Sequence, residues 1–207
     1  MNVSHQVRDA YSANAELYIG LFGTIVDRGT DDLAFIRRHL SIRPGVVLDL
    51  GCGPGHLTDY LRSLGVDARG IDLVPEFIAY AKAAHPEGDY RLGSMASLDV
   101  EDGSIAGILA WFSLIHLPPA EVDVVLAEFR RVLRPGGALV AGFFDGGDEL
   151  SAFDHKVVTA YRWPVDEFAG RLARAGFAEV ERRLWPSDGT QRPHAAIATV
   201  SSAAAPS

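Results

Sequence analysis

The chain has 207 residues, of which 48% are hydrophobic and 22% charged, a composition ordinary for one globular domain and unlike that of a disordered chain. Its formal net charge of −8 disfavours a nucleic-acid partner, because phosphate binding depends on Lys and Arg. One cysteine excludes a disulfide framework, and with neither a signal peptide nor an apolar run of membrane-spanning length we expect a cytoplasmic protein without a membrane partner.

Residues 1–42 are predicted to form an N-terminal helical cap. Apolar residues recur at helical spacing over residues 4–22, and Tyr11 and Tyr18 share one face of that helix. The two tyrosines are either core aromatics or part of a lid over a ligand. A second helix is expected over residues 32–40, with acidic residues in its first turn and basic residues in its last, both of which favour the helix dipole.

A glycine turn follows the cap. A run of apolar residues ends at Leu50, three glycines follow at alternate positions, and a helical pattern begins at His56. The stretch 46–58 (V-V-L-D-L-G-C-G-P-G-H-L-T) therefore predicts strand, tight turn and helix. Asp72 ends the next apolar run, 21 residues after Gly51, where a carboxylate binds the hydroxyls of a ribose. Together these features predict a nucleoside site.

Two details of this turn indicate which nucleoside it binds. The glycines read G-x-G-x-G with Pro54 between them, not the G-x-G-x-x-G that packs a pyrophosphate. Asp49 stands close before the first glycine, which is unfavourable for a pyrophosphate but suits a ligand with an amino group.

On these residues the chain resembles the class I S-adenosylmethionine-dependent methyltransferases. V-L-D-L-G-C-G-P-G (47–55) resembles their motif I, and Y-S-A-N-A-E-L-Y (11–18) and R-R-V-L-R-P-G-G-A-L (130–139) resemble further parts of small-molecule members. The resemblance implies a Rossmann-like fold, S-adenosylmethionine as cofactor and S-adenosylhomocysteine as product. It also favours the lid interpretation of the N-terminal helix.

Strands and helices alternate with short connections over residues 43–143, the cofactor-binding core. This rhythm predicts an α/β fold with a doubly wound, mostly parallel sheet and helices on both faces. We expect strands at 46–50, 68–72, 90–92, 105–110 and 138–143, and helices at 56–64, 75–84 and 120–133, with a turn at 134–137.

The C-terminal third departs from this rhythm. Residues 144–163 show no clear strand and are expected to form a substrate loop. Residues 164–200 predict a helix and then an antiparallel hairpin with its turn at 186–190, and residues 201–207 a frayed tail. The resemblance implies that this hairpin closes a seven-stranded sheet. We found no internal repeat or linker, so residues 1–207 are expected to form one domain.

The resemblance implies a cofactor site at the carboxyl ends of the strands. Gly51 and Gly53 then lie against the methionine part and Asp72 takes the ribose hydroxyls. Leu73 and Met95 then lie on either side of the adenine ring, and Ala110 and Trp111 line the carboxypropyl group. The implied cofactor contacts are Tyr11, Tyr18, Asp49, Gly51, Cys52, Gly53, Asp72, Leu73, Ser94, Met95, Ala110 and Trp111. Ser94 departs from the family, which often has an acidic residue there for the adenine amino group.

The reaction that the resemblance implies is methyl transfer to an oxygen or nitrogen atom of a small molecule. A hydroxyl acceptor needs a general base, and His is the residue type best suited to that role. His116, just past the fourth strand, and His155, within 144–163, are the candidates, each either catalytic or structural. We predict no metal, because no pair of residues has metal-ligand spacing on one helix face.

Aromatic residues predicted to crowd the rim of the site favour an aromatic or apolar acceptor. They are Trp111, Phe112, Phe143, Phe144, Phe153, Tyr161 and Trp163. Two other functions stay open at this point: a nicotinamide-dependent oxidoreductase, which fits Asp72 but not the glycine spacing, and a binding protein that keeps the cofactor pocket without turnover. Whether the protein is a monomer or a homodimer is also open.

Overall fold

Strands and helices alternate from residue 47 onward in the computed structural model, which describes residues 3–23, 30–187, 189 and 191–202. This confirms the predicted α/β class. The helices of the described residues are α1 (Val3–Ser12), α2 (Ala15–Phe22), α3 (Thr30–Leu40), α4 (His56–Ser63), α5 (Pro75–Ala84), α6 (Pro119–Val132) and α7 (Val165–Arg174). The strands are β1 (Val47–Leu50), β2 (Ala68–Asp72), β3 (Asp89–Leu92), β4 (Ile105–Trp111), β5 (Leu133–Asp145), β6 (Ser151–Phe153), β7 (Ala160–Trp163), β8 (Phe177–Trp185) and β9 (His194–Ser201).

The main sheet has the strand order β3-β2-β1-β4-β5, with all of these neighbours parallel. Strand β9 lies antiparallel to β5, and β8 lies antiparallel to β9. These seven strands form the predicted sheet, and the β8–β9 hairpin is confirmed. The chain runs outward from β1 to β3 and returns at β4, so the carboxyl ends of β1 and β4 meet at the switch point where open α/β sheets bind ligands.

Helices cover both faces of the sheet, as predicted. Val47 and Leu48 are neighbours in β1 and therefore point to opposite faces. Val47 packs in a buried cluster with Phe35 of α3 and Leu61 of α4. Leu48 belongs to a second cluster that includes Phe129 of α6. The core therefore has two layers, one on each side of the sheet.

The prediction for residues 144–163 is wrong in one respect, because this segment contains two strands. β6 pairs antiparallel with β7, and β7 lies parallel to the end of β5, with Phe144 opposite Arg162. The sheet of the described residues therefore has nine strands. Strands of three and four residues are too short to show a readable alternation.

The single helix predicted over residues 4–22 is also wrong, since the chain forms two helices, α1 and α2. They are separated at Ala13 and Asn14. The Asn14 side-chain amide donates to the carbonyl of Ala10 at 2.8 Å, and such local bonds compete with the helical ladder. We call α1 and α2 together the lid.

Smaller differences lie near the C-terminus. The turn predicted at 134–137 lies inside β5, where the register jumps between Leu133 and Ala138. Ser201, predicted to fray, ends β9, is buried and donates to the carbonyl of Arg134 at 2.5 Å. Parts of the predicted cap, hairpin turn and tail lie outside the described residues, namely 1–2, 24–29, 188, 190 and 203–207.

Across the described ranges of the chain, every helix falls short of the length and apolarity that crossing a membrane requires.

Candidate functional site

A cavity of about 360 Å³ lies where the strands β1 to β4 end and the lid covers the sheet. It is lined by side chains and backbone from the lid, the glycine turn, the ends of β2 and β3, the loop after β4, and α6. Ten of the predicted site residues line it: Tyr11, Tyr18, Gly51, Gly53, Asp72, Leu73, Ser94, Met95, Trp111 and His116. The structure therefore brings together residues that lie far apart in the chain.

The glycine turn forms the floor of this cavity. Gly51 has φ of +77°, and a Cβ atom on it would lie 2.4 Å from the Cβ of Ser113, which is closer than two carbon atoms can approach without displacement. Gly53 has φ of +54°, again a conformation that favours glycine. Gly51 therefore has two independent reasons to be glycine, one steric and one conformational.

Asp72 is buried at the end of β2. Its carboxylate accepts from the backbone N–H of Gly53 at 2.8 Å and from that of Val74 at 2.9 Å. Burial raises the pKa of this carboxyl group, while the N–H donors of Val74 and Gly53 oppose that rise. Each carboxylate oxygen has two acceptor sites, so Asp72 is fixed against the glycine turn and can still accept hydrogen bonds from hydroxyl groups in the cavity.

Three predicted contacts lie behind the cavity wall. Asp49 is almost fully buried and accepts from the hydroxyl of Thr58 at 2.7 Å. Burial raises the pKa of Asp49 to about 7, and the Thr58 bond opposes that rise. Cys52 is buried beside Tyr90, with its pKa raised by burial, and Ala110 lies in the sheet core. That these residues contact a cofactor stays a prediction.

The lid closes one side of the cavity with aromatic rings. Tyr11 and Tyr18 meet edge to face with centroids 5.3 Å apart, and both contact Phe77 of α5. The hydroxyl of Tyr11 lies 2.9 Å from Nε2 of His116. Burial raises the pKa of Tyr11 far above its ordinary value, so this hydroxyl keeps its proton and can serve as a donor.

His116 is held at both ring nitrogens. Nδ1 lies 2.9 Å from the carbonyl oxygen of Thr159. Because a carbonyl only accepts, Nδ1 carries the proton, and in the neutral ring Nε2 accepts from Tyr11. Burial lowers the pKa of His116, which favours this neutral form. The arrangement leaves one basic lone pair, on Nε2, aimed at the lid side of the cavity.

His155 lies beside His116 but is not among the cavity-lining residues. The two rings have centroids 5.3 Å apart. Within the described part of the chain, Nδ1 of His155 is buried without a hydrogen-bond partner. Burial, with the nearby His116, Arg192 and Lys156, lowers the pKa of His155 to about 4. His155 is therefore neutral at physiological pH.

The predicted aromatic rim divides into three groups. Phe143 and Trp163 are core residues, each 1% exposed, whereas Trp111 and Phe112 line the cavity. The partly buried rings outside the cavity lining are Phe144, Phe153 and Tyr161. Phe112 has φ of +53°, a rare and strained value for a large side chain. Its ring packs on Phe144 at 5.0 Å, so Phe112 links the cavity to the outer rings.

Sequence reasoning missed several residues of the site. Phe77, Ser113 and Glu121 line the cavity, and Thr159 orients His116. No local motif marks them, since each reaches the site through packing of a separate element. Among the described residues, no group of three or more His, Cys, Asp or Glu side chains could hold a metal ion.

Comparison with known proteins gives a consistent result. The family model described as a methyltransferase domain matches residues 47–137. An uncharacterized methyltransferase of Synechocystis sp. is 34% identical over 162 residues, which cover 74% of this chain and 76% of that protein. A malonyl-[acyl-carrier protein] O-methyltransferase of Yersinia pestis is 30% identical over 153 residues, covering 72% of this chain but only 55% of the relative. This chain thus matches about half of that enzyme's length.

The fold also has solved counterparts. The structure of Burkholderia thailandensis 1,6-didemethyltoxoflavin-N1-methyltransferase, with bound 1,6-didemethyltoxoflavin and S-adenosylhomocysteine, has a TM-score of 0.80 to this chain. It covers 96% of this chain and 88% of its own, at 22% identity. At that identity the likeness is one of fold.

Proposed function

The chain belongs to the class I S-adenosylmethionine-dependent methyltransferases, and from this we propose that it transfers a methyl group from S-adenosylmethionine to an oxygen or nitrogen atom of a small molecule. One observation carries the proposal. The glycine turn and Asp72 line the same cavity as His116 and the lid, so a nucleoside site and a candidate base share one enclosed space. A cavity of about 360 Å³ lies within the range of small-molecule sites.

The residues present fit this cofactor. Gly51 and Gly53 line the cavity and carry no side chain, so a ligand can approach their backbone closely. Asp72 offers acceptor sites for the two ribose hydroxyls. Leu73 and Met95 line the same cavity and offer apolar surface to the faces of an adenine ring.

The chemistry divides between cofactor and protein. When bound, S-adenosylmethionine supplies a methyl group on a cationic sulfonium, whose departure needs no acid. The tasks left to the protein are alignment and the exclusion of water. Tyr11 and Tyr18, packed on Phe77, cover the cavity with rings, and their π-faces suit a cation.

His116 is the general base in this proposal. Its Nδ1–H is held by Thr159, so Nε2 is the atom that takes the proton of an acceptor hydroxyl as the new bond to carbon forms. In the structure Nε2 is hydrogen-bonded to the Tyr11 hydroxyl. The acceptor hydroxyl replaces that partner when the substrate binds. His155 then has a positioning role, because it touches His116 from outside the cavity.

The acceptor and the cellular setting follow from the same residues. Phe112 and Trp111 in the cavity wall support an aromatic or apolar acceptor. The free, buried Cys52 suits a reducing compartment, which supports a cytoplasmic location.

The experiment is incubation of the protein with S-adenosylmethionine and a panel of small-molecule hydroxyl and amino compounds. Mass spectrometry should detect both S-adenosylhomocysteine and an acceptor that has gained a methyl group. His116→Ala is the matched control for background methylation. Binding of the cofactor without any methylated product across a broad panel would contradict turnover and favour a binding protein.

A further inference from the structure

Two guanidinium groups lie over a single ring, that of Phe153, which is outside the cavity lining. The Cζ atom of Arg162, on β7, is 4.3 Å from the ring centroid of Phe153, and that of Arg192 is 4.8 Å from the same centroid. Arg192 also lies 5.8 Å from the centroid of Phe144. The pairing of β6, β7 and the end of β5 holds Arg162, Phe153 and Phe144 in place.

Several arginines of this acidic protein pair with carboxylates. Arg131, Arg171 and Arg182 each form ion pairs with carboxylates. Within the described ranges, neither Arg162 nor Arg192 has a carboxylate partner within the 4.0 Å of an ion pair. Other arginines, such as Arg37 and Arg134, also have no carboxylate partner among the described residues, but Arg162 and Arg192 share one ring. Two guanidinium groups at one ring favour the approach of an anion.

A continuous row of rings connects this position with the cavity. Phe153 contacts Phe144 at 5.5 Å, and Phe144 contacts Phe112 at 5.0 Å, while Phe112 lines the cavity. On the other side, His155 lies 6.0 Å from Phe153 and 5.3 Å from His116. The guanidinium pair is therefore joined to the candidate base by ring contacts.

We propose that Arg162 and Arg192 bind the carboxylate of the methyl acceptor, which makes the substrate a flat aromatic acid with a hydroxyl or amino group. The inference rests on the proposed function and refines it. Guanidinium groups match carboxylates in geometry and charge, and the aromatic residues between them and the cavity offer surface for a flat ring. The acid group at one end then holds the nucleophile of the other end near His116.

The site also explains an otherwise costly feature. Arg162 and Arg192 lie over the Phe153 ring, and both Arg192 and Lys156 act on the neighbouring His155. Bringing an anion to this surface relieves the repulsion between the cations. A neutral acceptor has no such effect, so charge at this surface should discriminate between acceptors of equal shape.

The test is calorimetric titration of the protein saturated with S-adenosylhomocysteine. The probes are matched pairs, namely hydroxybenzoates, aminobenzoates and hydroxycinnamates, each with its own carboxamide. We expect at least one acid to bind about tenfold more tightly than its amide. In Arg162→Gln and in Arg192→Gln this preference should fall to about threefold or less.

Arg174→Gln is the control. Arg174 is exposed in the last turn of α7. Its replacement removes the same charge from a residue that neither lines the cavity nor lies over Phe153. The control should keep the preference. Equal binding of acids and amides, binding of no acid at all, or a preference that survives both variants overturns the inference. Failure to bind S-adenosylhomocysteine in the first step would instead contradict the proposed function, so the two failures are distinguishable.

Discussion

The hydroxyl of Tyr11 lies 2.9 Å from Nε2 of His116, although 105 residues separate the two in the chain. One hydrogen bond thus joins the lid to the loop after β4. The other nitrogen of His116 is bound by the carbonyl of Thr159, just before β7. Three distant segments therefore meet at a single imidazole, and a change at Tyr11 should affect both closure of the cavity and the state of the candidate base.

Tyr11→Phe should weaken closure of the lid. Loss of one buried hydrogen bond costs about 1 kcal/mol, which corresponds to a fall in Tm of about 2–4 °C for a chain of this size. The Kd of S-adenosylhomocysteine should rise by at least about threefold, because the closed conformation of the lid is less populated. Tyr60→Phe is the control, since its hydroxyl donates to Leu33 outside the cavity. Equal cofactor affinity in wild type and Tyr11→Phe would contradict the role of the lid.

Asp72→Ala should weaken binding of the cofactor by at least about tenfold, or roughly 1.4 kcal/mol. The substitution removes the acceptors for the ribose hydroxyls and also releases the N–H of Gly53. Asp67→Ala, just before the same strand, removes an exposed carboxylate paired with Arg69 and should leave the affinity unchanged. Unchanged affinity in Asp72→Ala would exclude its assignment to the ribose.

His116→Ala should lower kcat by about 100-fold, the lower range for loss of a general base. Cofactor affinity should change only as much as in Tyr11→Phe, because both variants lose the same bond. Burial lowers the pKa of His116 below its ordinary 6.5, so kcat of the wild type should rise with pH, with the midpoint of that rise below 6.5. Equal kcat in His116→Ala and wild type would leave His116 structural.

Thr58→Val should destabilise the protein in a pH-dependent way. The folded-state pKa of Asp49, about 7, lies above its ordinary 3.8, so between these values the folded protein binds more protons than the unfolded chain. The stability that this group contributes is therefore lost as pH rises through 7. Removing the Thr58 donor raises that pKa further. The cost should be about 1–3 kcal/mol when Asp49 is ionised and smaller when it is protonated.

Denaturant unfolding at about pH 6 and about pH 8 measures this difference. Thr199→Val is the matched control, because Thr199 is a buried threonine that donates to the carbonyl of Leu139, a group that does not titrate. Its cost should be the same at both pH values. A Thr58→Val cost that is also independent of pH would show that Asp49 does not titrate in this range.

Gly51→Ala should both destabilise the fold and abolish cofactor binding. The new Cβ meets Ser113, and φ of +77° is unfavourable for alanine. Gly65→Ala separates the two causes, because Gly65 has φ of +83° with open space around it, so it should lose only about 1–2 kcal/mol from backbone strain. If both variants unfold at the same denaturant concentration and bind alike, the steric argument fails.

Local signals in the sequence predicted most of the fold. β2 and α5 were predicted to the residue, because the strand is a short run that ends at Asp72 and the helix begins with Pro75, which suits the first helical position. The break at Asn14 and the hairpin that carries Phe153 were missed. The break spans only two residues, and the two strands have three and four residues, too few for a pattern to stand out.

Only the part of the site formed by residues close together in the sequence could be predicted. The glycine turn and Asp72 belong to one βαβ unit, so their proximity follows from the topology. The bond between Tyr11 and His116, and the meeting of Arg162 with Arg192 at one ring, depend on how distant segments pack. No spacing in the sequence encodes these contacts.

Calorimetric titration of the purified protein with S-adenosylhomocysteine, with NADH as the comparison ligand, tests the assignment of the cofactor. We expect a one-to-one isotherm for S-adenosylhomocysteine and no heat of binding for NADH. The absence of binding heat for S-adenosylhomocysteine at two temperatures, or binding of NADH with equal affinity, would contradict it.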